Sequence, residues 1–409
     1  MTRFDTYFLM KPDDVAEYAK TQLDVFAPDA DLEGAEIGDG NINFIFRVRD
    51  RKTGQSVIVK QAGPTARISD AFVLSTDRAR IEAEILMLEA KLAPGLVPVV
   101  HKYDPVMSCC VMEDLSDHEI MRAALLKHQV FPRFAEDITT FMVNTLLLTT
   151  DVVLDHQEKK RLSGRYINPE LCEITEDLVY TEPFNDYKGR NDVFGPNQAW
   201  VEANLYGDAA LRLEAAKLKF DFLTNGQALI HGDLHTGSIF ITPDSTKVID
   251  PEFAFYGPMG YDVGNVIANL IFAWANGDAT LPVGTERDAY LGWIENTIVA
   301  VVDLFNQKFM AAWAANARDV FTREPGFDRW YLDTVLRDTA GVCGLELCRR
   351  TVGLAHVKDL TSITDAAARV RAERICLTAA KDYIKQRESY RTGADFLAGM
   401  KRAIAAHSA

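Results

Sequence analysis

The stretch Leu229–Ile239, with the sequence LIHGDLHTGSI, decides the fold of this chain together with a second short motif, Asp250–Pro251–Glu252. An apolar run delivers His-Gly-Asp into a tight turn, and the run Lys247–Ile249 delivers the second motif to a strand end. We therefore expect two acidic groups, Asp233 and Asp250, at the ends of neighbouring short strands. Phosphoryl transfer needs this arrangement, because one carboxylate accepts the proton of an alcohol while the other holds a metal ion beside the phosphates.

The composition is that of an ordinary soluble globular protein with more than one domain. The chain has 409 residues, of which 48% are hydrophobic and 25% are charged, and such a length suffices for two or three domains. The 44 basic and 59 acidic residues give a formal net charge of −15, which disfavours binding to nucleic acid or to an anionic membrane. We see no apolar run of about 18 residues and no secretory signal, so we expect a cytoplasmic protein. Six cysteines without a Cys-x-x-Cys spacing favour reduced thiols.

The pattern of predicted elements changes near residue 115. Before it, a helix over Asp13–Phe26 and several strands surround a second helix over Arg78–Leu92. After it the chain is mostly helical, with a long helix predicted over Asn197–Leu223. The stretch Tyr180–Pro196, which is rich in Pro, Asn, Asp and Gly, is predicted to be a long loop. The sequence thus predicts a bilobal α+β protein: residues 1–115 form a five-stranded antiparallel sheet with a helix, and residues 116–409 form a mostly helical lobe.

A glycine turn and a lysine make the first lobe a candidate for nucleotide binding. Gly38 and Gly40 lie in a turn whose backbone can approach phosphate groups, although such turns are also common in ordinary hairpins. Lys60 ends an apolar strand, from which it would reach phosphate oxygens unless it is only an edge lysine.

Acidic residues of the first lobe extend this candidate site. Either Glu82 or Glu84 on the next helix would pair with the lysine and fix its position, and Glu82 fits the sequence pattern better. At the junction of the lobes, the backbone groups of Glu113, Asp114 and Leu115 are candidates for contacts with an adenine ring.

The two opening motifs supply the reacting groups. Asp233 is the candidate general base, and His231 is expected to orient the loop through hydrogen bonds rather than to transfer protons. Asp250 should bind a Mg²⁺ ion that bridges the phosphates, with Glu252 as a second oxygen ligand or an outer-shell partner. Pro251 between them belongs to the same candidate site.

The run His231–His235, followed by Ile249–Asp250, resembles the aminoglycoside-phosphotransferase and choline-kinase branch of the protein-kinase-like fold. That branch usually carries an Asn, which is a metal ligand, where this chain has Ser238. With Ser at this position, the motif resembles that of the 5-methylthioribose kinase family in particular. Four further runs resemble that family: Gly38–Asn43, Val111–Ser116, Asp250–Asp262 and Arg349–His356.

The resemblance implies an ATP- and Mg²⁺-dependent kinase of 5-methylthioribose that forms a homodimer. Asn43 and Lys60 would contact ATP, and Asp233 would bind the sugar and activate its anomeric hydroxyl. Arg349 and Arg350 would be substrate-side arginines that neutralise charge on the phosphoryl oxygens, with a helix-surface ion pair as the alternative. The thioether needs an apolar patch, to which the predicted long loop would contribute. Two rival functions stay open: a kinase of an aminoglycoside or choline, and a catalytically silent nucleotide-binding scaffold.

Overall fold

A computed structural model describes residues 2–38, 43–66 and 69–408, with the backbone alone described over 65–66 and 69–73. The chain divides into two compact units. The first contains Met1–His118 and Lys247–Ala254, and the second contains Glu119–Thr246 and Phe255–Ala409. The segment that carries Asp250 therefore belongs to the N-terminal unit, although its neighbours on both sides in the sequence belong to the other unit.

The first unit is built on a five-stranded antiparallel sheet with strand order β1-β2-β3-β7-β6. Its strands and helices are β1 (Leu32–Glu36), β2 (Asn43–Asp50), β3 (Ser56–Ala62), β4 (Thr65–Ala66), β5 (Ser69–Val73), β6 (Val100–Asp104), β7 (Cys109–Glu113), α1 (Pro12–Gln22) and α2 (Arg78–Leu92). The prediction of a five-stranded antiparallel sheet with a helix is confirmed. Apolar residues of β2 and β3 alternate along each strand and pack with Tyr18 of α1 in one core. Gly34 lets α1 lie directly on β1, because a Cβ there would be 2.1 Å from the carbonyl oxygen of Pro12.

The second unit is mostly helical, as predicted. Its elements are β8 (Glu119–Ile120), α3 (Met121–Leu125), α4 (Phe134–Leu147), α5 (His156–Arg165), α6 (Pro169–Thr175), α7 (Glu182–Asn185), α8 (Gln198–Val201), α9 (Ala209–Thr224), β9 (Ala228–Ile230), β10 (Ile239–Thr242), β12 (Phe255–Gly257), α10 (Gly260–Thr280), α11 (Thr285–Asn316), α12 (Phe327–Val352), α13 (Lys358–Thr361), α14 (Ala366–Lys385) and α15 (Gly393–Ala406). Strand β11 (Ser245–Val248) begins in this unit and ends in the first. Helices α10, α12 and α14 pack on one another, and their contact faces are almost fully buried.

Three local predictions are wrong. The stretch Tyr180–Pro196 is not a continuous loop, because a π-helical turn over Glu176–Thr181 runs into α7. The helix predicted over Asn197–Leu223 is interrupted by a second π-helical turn, and α9 starts anew where Asp208 accepts a hydrogen bond from the backbone N–H of Leu211 at 3.0 Å. The strands that precede the two opening motifs exist, but they are not neighbours as expected, because β9 pairs with β12 whereas β11 belongs to another sheet.

Within the described part of the chain, α11 is the one helix that is long and apolar enough to cross a membrane. The helix packs against α4, α10 and α15. Ten of its residues, including Ile298, Phe305 and Phe309, are buried by this packing. The face of α11 that carries these residues therefore packs into the helical unit.

Candidate active site

Lys60 stands at the centre of an acidic cluster in the first unit. Its ammonium group donates to a carboxylate oxygen of Glu82 at 2.9 Å and to Asp250. Burial alone would lower the pKa of Lys60, but the carboxylates of Asp250 and Glu82 raise it well above its usual range. The lysine therefore remains charged, and it lies within β3 rather than at its end. Glu84 pairs instead with Arg80, at 3.1 Å.

A second network in the same unit connects Asn43, Glu252 and Arg78. The side-chain amide of Asn43 donates to Glu252 Oε2 at 2.7 Å, and its carbonyl oxygen accepts a hydrogen bond from Arg78 Nε at 3.0 Å. Burial raises the pKa of Glu252, and the Lys60 ammonium opposes that shift. Pro251 is buried and starts a short 3₁₀ turn, after Asp250 in a left-handed conformation with φ of 73° that Asp tolerates better than most residues.

The residues at the end of β7 accept hydrogen bonds from other residues of the protein. Asp114 accepts hydrogen bonds from Arg47 at 2.7 Å and from the Ser56 hydroxyl at 2.6 Å. Glu113 accepts one from the backbone N–H of Val99 at 3.0 Å, and the carbonyl of Leu115 accepts one from His118 at 2.9 Å. Of the predicted glycine turn, Gly38 has a φ of 74°, and Gly40 lies outside the described residues.

In the second unit, Asp233 follows a backbone turn that is fixed by Asp262. The carboxylate of Asp262 accepts hydrogen bonds from the backbone N–H groups of His231 at 2.7 Å and Gly232 at 3.0 Å. Gly232 has a φ of 82°, which glycine adopts without steric cost. The ring of His231 accepts a hydrogen bond from the N–H of Asp233 at 3.2 Å, so this histidine orients the loop.

The carboxylate of Asp233 faces a histidine on one side and an arginine on the other. His235 Nε2 lies 3.5 Å from Asp233 Oδ2, while Nδ1 of the same ring accepts from the N–H of Gly237 at 3.1 Å and lies 3.1 Å from Ser238 Oγ. Nδ1 is thus an acceptor, and the neutral ring carries its proton on Nε2. Burial, reinforced by the nearby cations of Arg122 and Arg350, lowers the pKa of His235 well below its usual range.

Arg349 and Arg350 share one buried acid on helix α12. Glu346 lies 3.2 Å from Arg349 Nη1 and 2.8 Å from Arg350 Nε. Burial would raise the pKa of Glu346, but the two guanidinium groups hold it below its usual range. Arg350 Nη2 also lies 3.9 Å from Asp233 Oδ1, whereas Arg349 Nε is buried with no hydrogen-bond partner among the described residues. The two arginines therefore have different surroundings.

The oxygen donors of the first unit fit a Mg²⁺ ion. Asp250 is 39% exposed, whereas Glu252 is buried. The described residues contain no group of three or more His, Cys, Asp or Glu side chains that would hold a metal ion by themselves. Mg²⁺ in proteins is usually bound by one or two carboxylates together with phosphate oxygens and water. Two carboxylates are thus an adequate set for an ion that arrives with a nucleotide.

Three charged residues of these networks were missed by the sequence analysis, and each carries a signal. Asp262 is an acid at the start of the apolar run of α10, and Glu346 precedes two arginines at the i+3 and i+4 spacings that favour pairing on a helix. Arg78 is a cation at the first position of a helix, where the helix dipole disfavours it. An acid beside an apolar run, an acid spaced for pairing with arginines and a cation at a helix N-terminus each indicate a specific partner.

The family model and the sequence relatives agree on one family. Residues 33–295 match the model of the phosphotransferase enzyme family. The chain is 40% identical over 380 residues to a methylthioribose kinase of Bacillus cereus and to one of Bacillus anthracis, with 93% of this chain and 93% of each relative covered. The solved choline kinase from Cryptosporidium parvum aligns with 97% of this chain and 94% of its own, with a TM-score of 0.47 and 11% identity.

Proposed function

This chain belongs to the methylthioribose kinases of the phosphotransferase enzyme family, and we propose that it transfers the γ-phosphoryl group of ATP to the 1-hydroxyl of 5-methylthio-D-ribose. The product would be 5-methylthioribose 1-phosphate, as in methionine salvage. The observation that carries this proposal is the 40% identity over 93% of both chains, because it spans both structural units rather than the motifs alone.

Residues of the second unit would handle the sugar. Asp233 would accept the proton of the 1-hydroxyl as that oxygen bonds to the γ-phosphorus and the β,γ-bridging oxygen leaves. The neutral ring of His235, 3.5 Å from Asp233 Oδ2, would hold the carboxylate in place without adding a positive charge that lowers its basicity. Arg350, with Arg349 beside it, would neutralise the charge on the transferred phosphoryl oxygens.

Residues of the first unit would handle the nucleotide. Lys60, held by Glu82 at 2.9 Å, would contact phosphate oxygens, and Asn43 and the backbone of the Gly38–Gly40 turn would assist it. The backbone of Glu113, Asp114 and Leu115 would meet the adenine ring.

Asp250 and Glu252, on either side of Pro251, would hold Mg²⁺. When bound there, the ion supplies positive charge against the phosphates. Removal of divalent cations with a chelator should abolish turnover, and added Mg²⁺ should restore it.

We further propose that the protein is a cytoplasmic homodimer, as the resemblance to this kinase family implies. Light scattering coupled to size-exclusion chromatography gives the mass of the particle in solution. A mass near the 45.6 kDa of one chain would contradict the dimer.

The substrate is tested with a coupled assay of ADP release over methylthioribose, ribose, choline and kanamycin, with Mg²⁺ present. We expect rapid release with methylthioribose alone. Release with choline or kanamycin but not with methylthioribose would identify a different small-molecule kinase. Nucleotide binding without release in the presence of any acceptor would indicate a silent scaffold.

A further inference from the structure

Arg78 is a buried cation that joins three separate segments of the first unit. It is the first residue of α2, and its side chain is 2% exposed. Its guanidinium donates to the carbonyl oxygens of Ser75 at 2.8 Å and Gly63 at 2.9 Å, and to Asn43 Oδ1 at 3.0 Å. Its Nε also lies 3.7 Å from Glu252 Oε2. A planar guanidinium group with five N–H donors can donate to several acceptors at once in a fixed geometry. An ammonium group lacks this geometry.

The hydrogen bond from Arg78 determines how Asn43 is oriented. The side-chain amide of Asn has an oxygen that accepts hydrogen bonds and an NH₂ group that donates them. A rotation by 180° exchanges the two groups, so the orientation is fixed only where one neighbour needs the oxygen and the other needs the NH₂ group. Here the guanidinium requires the carbonyl oxygen of Asn43, so the NH₂ group is left to face Glu252 Oε2, at 2.7 Å. If Arg78 were removed, Asn43 could present its oxygen to the carboxylate, which would repel it.

The charge of Arg78 is also needed by the acidic cluster. Glu82, Asp250 and Glu252 are three carboxylates, and Lys60 donates to the first two. Glu252 is buried, and the Asn43 amide and the Arg78 guanidinium lie close to it, while the Lys60 ammonium also opposes the rise of its pKa. A buried carboxylate that loses one of its nearby cations is disfavoured, and its side chain or the surrounding segments rearrange.

We propose that Arg78 is a positioning residue for the reaction, which fixes Asn43 and Glu252 in the orientation that binds the nucleotide phosphates and the metal ion. The inference rests on the proposed function, because it assumes that these two residues meet ATP and Mg²⁺. Arg78 itself acts through them and through the segments that carry Gly63 and Ser75. A purely structural arginine would support the fold without selectively affecting nucleotide affinity.

The test compares Arg78→Met and Arg78→Lys with the wild-type protein by calorimetric titration of ADP in the presence of Mg²⁺, by steady-state kinetics and by thermal unfolding. We expect Arg78→Met to weaken ADP binding and to raise the KM for ATP by roughly 10–100-fold, as is typical when a partner of a metal-site ligand is lost. The KM for methylthioribose should stay within about twofold of the wild-type value. Arg78→Lys keeps the positive charge but lacks the planar guanidinium group, so it should show a smaller loss of ADP affinity.

Arg80→Met is the matched control, since Arg80 lies on the same helix and pairs with Asp77 at 2.6 Å and with Glu84 at 3.1 Å. It should leave ADP binding unchanged. Unchanged ADP affinity in a folded Arg78→Met protein would overturn the inference. If that variant does not fold, unchanged ADP affinity in Arg78→Lys would overturn it instead. Because the titration needs no acceptor, a failure of methylthioribose as the substrate would leave this result intact.

Discussion

Ser238 stands at the position of an Asn in the kinase motif that this segment resembles, and its hydroxyl has a histidine ring as its neighbour here. Its Oγ lies 3.1 Å from Nδ1 of His235, and the N–H of Gly237 donates to the same nitrogen. These contacts fix the tautomer in which Nε2 faces Asp233. The serine of the motif therefore contacts a histidine ring that is held in place beside the candidate base. The prediction that metal binding departs from the Asn-containing pattern remains a prediction.

Replacement of Asp233 by Asn should remove the general base and preserve the shape of the loop. We expect turnover to fall by about 10²–10⁴-fold, because the amide cannot accept the proton of the hydroxyl. Nucleotide affinity, measured by titration of ADP with Mg²⁺, should be unchanged. A turnover number close to that of the wild-type protein would rule out Asp233 as the base.

Replacement of Glu346 by Gln should disturb both substrate-side arginines. Its carboxylate is fully buried and pairs with Arg349 and Arg350, and loss of one partner of a buried ion pair costs about 3–5 kcal/mol of stability. We also expect the KM for methylthioribose to rise by roughly tenfold, since two guanidinium groups lose their orientation. Urea unfolding and steady-state kinetics measure the two effects.

Glu373→Gln is the control for this experiment. Glu373 is also buried and accepts hydrogen bonds from Arg369 at 2.8 Å and from Asn197 at 2.7 Å. We expect a similar loss of stability without a change in the KM for the sugar. An equal rise of KM in both variants would show that Glu346 has no specific role at the site.

At the scale of elements, the sequence predicts the bounds of a helix correctly where several local signals agree. Helix α2 begins and ends where it was predicted, because its apolar face repeats with the helical period and Pro94–Gly95 follows its last turn. The prediction of a loop over Tyr180–Pro196 relied on composition and was wrong in its first part, since burial of Tyr180 and Phe184 stabilises helical turns there. Contacts such as Asn43 with Glu252 join distant parts of the chain, so no spacing rule reveals them.

The close packing of α10 on α12 depends on Gly264. A Cβ at this position would lie 2.7 Å from the carbonyl oxygen of Thr339 and 2.8 Å from the backbone nitrogen of Cys343. Because both atoms belong to the backbone of α12, the helices would have to move apart. We expect Gly264→Ala to lower the free energy of unfolding by about 1–3 kcal/mol, as measured by urea unfolding.

For Gly292→Ala in α11 we expect no loss in the free energy of unfolding. Outside the local helix, no heavy atom of the described residues lies within 4 Å of a Cβ there, and Ala is favoured over Gly inside a helix by about 0.5–1 kcal/mol. This variant should therefore be as stable as the wild-type protein or slightly more stable. Equal destabilisation by the two substitutions would contradict the packing argument.

At the scale of the whole molecule, the two opening motifs fall in different structural units. Asp233 belongs to the second unit, with His235 and Arg350, whereas Asp250 belongs to the first, with Lys60 and Glu82. Arg78 contacts Asn43 and Glu252, whereas Glu346 pairs with Arg349 and Arg350. Because the two residues have no partner in common, we expect the effects of substitutions at these positions on stability to be additive.

The buried imidazole of His235 should make the second unit sensitive to acid. Its pKa in the folded protein is well below the usual value of about 6.5 because of burial and the nearby Arg122, Arg350 and Arg349, with Glu346 opposing them. Below that usual value the unfolded chain binds a proton that the folded unit does not, so stability falls as the pH decreases. Between pH 7.5 and 5.5 this group should lower the free energy of unfolding by about 1 kcal/mol.

The prediction is measured by urea unfolding at pH 7.5 and 5.5. All five tryptophans, Trp200, Trp274, Trp293, Trp313 and Trp330, lie in the second unit, so their fluorescence reports on the unit that contains His235. In His235→Gln the loss of stability between the two pH values should be smaller by about 1 kcal/mol, because the amide does not titrate. His101→Gln, a substitution on an exposed position of β6, should leave the loss unchanged. The same pH dependence in His235→Gln and in the wild-type protein would mean that the ring is not held neutral beside Asp233, and the role assigned to Ser238 and Gly237 in fixing its tautomer would fail with it.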